Sequence, residues 1–104
     1  MNDPDKRRLL LKFLDERVFQ PILDAPPRKG LDAAFFKETQ NRVRKTWIRY
    51  PQKYPTALAV KAAFLSDLQS PVGKQLAERL QWLNLPRFVD IRDEFLRLCE
   101  ELGI

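Results

Sequence analysis

Histidine is absent from this 104-residue chain, and cysteine occurs once, as Cys99. The first absence removes serine–histidine triads, histidine-ligated zinc and imidazole pH switches. The second removes any intramolecular disulfide, and fits a reducing, cytoplasmic setting. No apolar run approaches the ~18 residues of a membrane span. The opening MNDPDKRRLLLKFL lacks a secretory leader's pattern: its apolar run is only Leu9–Leu11, closed by Lys12. No stretch alternates apolar and polar residues for long enough to form a half-buried strand. There are three glycines, and only SPVGKQ, Ser70–Gln75, comes near a phosphate loop. That loop needs a glycine where Leu68 stands and a hydroxyl where Gln75 stands, so an ordinary helix start is the better reading.

What remains is 44% hydrophobic and 32% charged, the composition of one folded domain. Proline divides it into five helical segments. The first runs from Pro4 to about Gln20, with Asp3 as cap and Pro21 bending or ending it. The second spans about Asp32 to Tyr50, its stripe Phe36, Val43, Trp47 and Tyr50 recurring at helical spacing. YPQKYP, Tyr50–Pro55, reads as a tight connector. The third, capped by Thr56 and reaching about Leu68, is apolar on most sides and is placed at the centre of the bundle. The fourth starts at Ser70–Pro71, with Val72, Leu76, Leu80 and Leu83 as its stripe. The fifth runs from about Arg87 to Leu102 on Phe88, Ile91, Phe95, Leu98 and Leu102, and Gly103 closes it. The expected fold is a single all-α bundle of five helices.

Charge is distributed unevenly. Residues 28–53 carry eight basic side chains against Asp32 and Glu38, whereas residues 87–104 are net acidic. On the second helix Arg42, Lys45 and Arg49 follow i, i+3, i+7 spacing, flanked by Lys37 and Arg44, with Lys53 beyond them. A cationic row of this kind can track phosphates. Tyr54 can stack on a base, and Tyr50 can add its edge. The plainer alternative is a solvated helix face whose cations suit the helix C-terminus.

Other motifs are weaker. QLAERL, Gln75–Leu80, resembles the opening helix of a helix-turn-helix, but the helix after it carries Asp90, Asp93, Glu94, Glu100 and Glu101, which repel phosphate. Those carboxylates are interleaved with Arg92 and Arg97, and Asp93–Arg97 reads as an i, i+4 ion pair rather than a metal site. Cys99 sits at the margin of an apolar stripe and reads as inert packing. Trp82, Val89 and Leu96 fall opposite their helices' main stripes, as core against the first helix or as a surface for a protein partner or second copy. No catalytic constellation, metal site or cofactor motif emerges. The leading expectation is a non-catalytic nucleic-acid-binding module using Arg42, Arg44, Lys45, Arg49, Lys53 and Tyr54. The alternative is a protein-interaction module or small regulatory subunit using Trp82, Val89 and Leu96.

Overall fold

A computed structural model of the chain describes residues 1–86 and 88–104. The fold is all-α, with no strand among the described residues. Helix α1 covers Asp3–Leu14, a π-helical turn covers Asp15–Phe19, and α2 covers Gln20–Leu23. Helix α3 is Asp32–Lys53, α4 is Ala57–Gln69 and α5 is Pro71–Trp82. A 3₁₀ turn at Phe88–Ile91 leads into α6, Arg92–Glu101. The expected start of the last helix, Arg87, lies outside the described residues. The molecule is a short rod, 48 × 22 × 21 Å.

Three helix starts follow from short polar side chains. Asn2, rather than the expected Asp3, caps α1 by accepting from the Asp5 N–H at 2.9 Å. Asp3 instead reaches across to the Ala57 N–H at the start of α4. Thr56 caps α4 through the Ala59 N–H, and Ser70 caps α5 through the Gly73 N–H. At the other end of α5, Asn84 takes a left-handed φ of 57°. The Leu85 N–H then returns to the Leu80 carbonyl, closing the helix in a Schellman-type turn.

Two prolines act differently from the sequence expectation. The first helical run does not stop at Pro21 but continues to Leu23. The π turn just before it makes this possible: the Gln20 N–H bonds the Asp15 carbonyl, five residues back. The widened turn accommodates a residue with no N–H and buries the adjacent Val18 and Phe19 together. Likewise α3 does not end at Tyr50 but carries Pro51 within its last turn and runs to Lys53. Arg7 caps that end from α1, donating to the Tyr54 carbonyl at 2.8 Å and the Pro51 carbonyl at 2.9 Å. The connector thus shrinks to Tyr54, Pro55 and Thr56.

The core is built from Leu10, Leu14, Val18, Phe19 and Ile22 of the first run, Val43 and Tyr50 of α3, and Val60 and Phe64 of α4. Leu76, Leu80, Phe88 and Phe95 extend it, with Ala57, Ala63, Leu68, Ile91 and Cys99 filling in around them. Helix α4 packs between α1 and α5 and touches α6 through an edge-to-face pair, Phe64 on Phe95 at 4.8 Å. Its burial is one-sided all the same, for Leu58 and Ala62 face solvent. Val72 also departs from its expected stripe. It is exposed, and Gly73 takes the buried position. A Cβ at Gly73 would lie 1.6 Å from the Asp67 carbonyl oxygen, so only glycine lets the α4–α5 corner close.

Arg17 of the π turn and Glu94 of α6 pair at 2.6 Å on the surface. The expected Asp93–Arg97 pair is not formed; the Asp93 carboxylate is 3.9 Å from Arg92 instead. Cys99 is fully buried rather than marginal, and burial pushes its thiol pKa up.

Phe64→Ala is expected to cost about 3–5 kcal/mol in denaturant unfolding, because it leaves a cavity between α4 and α6. Gly73→Ala should cost upwards of about 2 kcal/mol, since backbone must move to admit one methyl group. A Gly73→Ala protein with the parent's stability would show that the corner is not closed as described.

Candidate nucleic-acid interface

The charges of α3 meet the α4–α5 corner along one cleft of about 370 Å³. Arg42, Lys45, Thr46 and Arg49 line it from α3, and Tyr54 from the connector. Asp67, Ser70, Val72, Gly73 and Leu76 line it from the corner, with Phe88 below. Three of the expected cations and the expected stacking ring therefore share one concavity. Its volume lies in the ~300–1,000 Å³ range of small-ligand clefts.

Helical geometry explains which cations gather. Arg42, Lys45, Thr46 and Arg49 fall within one side of α3, beside the buried stripe of Phe36, Val43 and Tyr50. Arg44 lies two residues from Arg42, about 200° around the helix. It is exposed on the other flank, where its guanidinium donates to Asn41 Oδ1 at 2.8 Å. Lys53 is exposed in the last turn and does not line the cleft. The structure thus separates Arg44 and Lys53 from the other four.

The three lining cations differ in their commitments. Arg42 pairs with Glu38 at 3.3 Å and donates weakly to Gln75 Oε1 on α5. Glu38 also receives Arg79 of α5 at 3.2 Å, so one carboxylate bridges both helices. Lys45 and Arg49 are exposed, and neither has an ion-pair partner among the described residues. Neither is held in a direct ion pair with a described residue at the cleft rim.

Beneath them sits Tyr50. Its ring is 1% exposed, so it cannot offer an edge to a ligand as the sequence suggested. It packs edge-on to Tyr54 at 5.2 Å and against Phe19 and Trp47 at 5.6 and 5.5 Å. Its hydroxyl donates to Asp67 Oδ2 at 2.7 Å. Burial, and then the Asp67 carboxylate holding the proton, keep the phenol far above its ordinary pKa. Tyr50 thereby fixes both Tyr54 and Asp67, one by its ring and one by its hydroxyl.

Asp67, Ser70, Val72, Leu76 and Phe88 were not among the residues expected at the site. The SPVG start of α5 is legible as a capped helix, but nothing in its residues says that the cap faces Arg42. The second expected surface is divided. Trp82 is 67% exposed, and its ring stands edge-on to Phe35 of α3 at 5.1 Å, beside Arg79 over the same Phe35 ring. Val89 is 42% exposed on the 3₁₀ turn, and Leu96 on α6 is half-buried.

No group of three or more acidic or cysteine side chains among the described residues is placed to hold a metal ion. No described helix is long and apolar enough to cross a membrane. Comparison with protein families, curated proteins and solved structures finds no match to this chain.

The Tyr50–Asp67 pair generates a pH-dependent expectation. The folded phenol keeps its proton where the unfolded one loses it, so this stabilisation is complete below pH ~10 and is lost as pH rises above it. Tyr50→Phe should cost about 1–3 kcal/mol at neutral pH, and the gap from the parent should narrow above pH ~10. Urea unfolding at neutral and strongly alkaline pH checks this; a constant gap would remove the proton-linked role.

Proposed function

We propose that this protein is a non-catalytic module that binds nucleic acid electrostatically through Arg42, Lys45 and Arg49. The observation carrying this reading is that these three cations line one cleft together with Tyr54, while Lys45 and Arg49 have no acidic partner among the described residues. Lys45 and Arg49, left at a concave rim without an ion pair among the described residues, release counterions when a phosphate chain enters. Arg42 can exchange its weak surface pair with Glu38 for a phosphate. Arg44 and Lys53, outside the cleft, add to the long-range field that draws an anion in. Tyr54 supplies a sequence-tolerant stacking face at the same place.

The alternative, a partner surface built on Trp82, Val89 and Leu96, is supported by the exposure of Trp82 and Val89. Its weakness is that Trp82 already packs on Phe35 and Leu96 is half-buried.

The readings separate by salt. Binding of a fluorescent single strand should weaken with a log–log slope of roughly −2 to −4, each contact contributing about −0.7 to −0.9. Replacing Arg42, Lys45 and Arg49 together by Gln should remove most of the binding and leave the helical spectrum intact, since glutamine keeps good helix propensity. Absence of binding at low salt, or binding indifferent to the triple substitution, would end the proposal. If Leu96→Glu converts a dimer to a monomer without unfolding, the partner reading takes its place.

A further inference from the structure

We propose that the cleft seats one unpaired nucleobase and that Asp67 selects for it, favouring bases with an exocyclic amino group over thymine or uracil. This rests on the nucleic-acid reading above, and the experiment below separates the two.

The cleft is chemically divided. One wall, from α3, is cationic: Arg42, Lys45 and Arg49. The facing corner presents a single carboxylate, Asp67, beside apolar Val72, Leu76 and Phe88. A phosphate entering this space is attracted to α3 and repelled by Asp67. The charge pattern therefore places the backbone along α3 and turns the base toward the corner. There exposed Val72 suits a base's face above a nearly buried floor of Leu76 and Phe88, and Tyr54 offers an aromatic surface.

A carboxylate at that position is an acceptor and not a donor. Asp67 forms no ion pair among the described residues, and one of its oxygens, Oδ2, is engaged by the Tyr50 hydroxyl. The remaining lone pairs face no protein donor among the described residues. Cytosine, adenine and guanine each carry an exocyclic amino group that can donate to such an oxygen. Thymine and uracil offer only the ring N3–H, set between two carbonyls, so a carboxylate that accepts from it meets carbonyl lone pairs on either side. Because Tyr50 is buried and holds Asp67 at 2.7 Å, the acceptor is fixed before the ligand arrives, and discrimination needs no rearrangement. A paired base is stacked inside its duplex and cannot enter the cleft without being unpaired and unstacked, so the selection operates on single strands.

The test is fluorescence anisotropy at low salt with dC12 and dT12, two pyrimidine strands of equal charge. The parent protein should bind dC12 about tenfold more tightly than dT12. Asp67→Asn keeps an acceptor for Tyr50 but adds a donor that thymine can use, so the dC12/dT12 ratio should fall toward one. Removing a negative charge will tighten binding of both strands, which is why the ratio is the readout. Val72→Trp, at an exposed position, should fill the cleft and lower the ratio as well; it carries the test if Asp67→Asn fails to fold. Equal affinities for dC12 and dT12 in the parent would overturn the base seat while leaving electrostatic binding standing. A preference that persists in both variants would overturn the role of Asp67. Binding of neither strand would remove the nucleic-acid reading itself.

Discussion

The hydrogen bond from the Tyr50 hydroxyl to Asp67 joins the longest helix to the helical corner opposite it. A donor buried this deeply, given to a charged acceptor, contributes more than a surface contact, about 1.5–3 kcal/mol. Its position matters as much as its strength. The same tyrosine ring touches Phe19, Trp47 and Tyr54, so the π-turned first run, α3 and the connector all register on one residue. Asp67 in turn precedes the Ser70 hydroxyl that receives the α5 start and donates to the Asp67 carbonyl at 3.0 Å. The walls of the cleft are set by these few contacts rather than by its charges, which lie at the surface and contribute little stability.

The prolines show how tertiary contacts override a local rule. Proline lacks an N–H and crowds the preceding turn, so an isolated peptide would break before Pro21 and before Pro51. In the fold each break is repaired by a specific partner. The π turn at Asp15–Phe19 opens the first helix, and Gln40 then bonds the Ile22 and Leu23 carbonyls at its end. Arg7 performs the same service for α3. Because α3 continues past Pro51, Tyr54 is held at a helix end and turned toward the cleft, rather than carried in a loose connector.

Charge separation gives the site its direction. The cations of α3 and the carboxylate of Asp67 lie in one concavity without pairing, an arrangement that suits a ligand with a negative end and a hydrogen-donating end. The Glu38 bridge to Arg42 and Arg79 holds the α3–α5 edge of that concavity in register.

Five helical segments, two of their N-caps and the cationic row were legible in the chain, because these depend on residues within one or two turns of each other. Thr56 and Ser70 are caps wherever the helices pack, and Arg42, Lys45 and Arg49 share a side of α3 by spacing alone. Three-dimensional packing decided what spacing cannot carry. It buried Tyr50, although its neighbours in sequence allow it to be a surface edge. It exposed Val72 and buried Gly73, because the Asp67 carbonyl comes too close for a side chain. It brought Asp67, Ser70, Leu76 and Phe88 opposite the cations. Helix formation and capping are local in sequence, whereas a cleft is made where segments distant in sequence approach, and the contacts that set their approach are long-range.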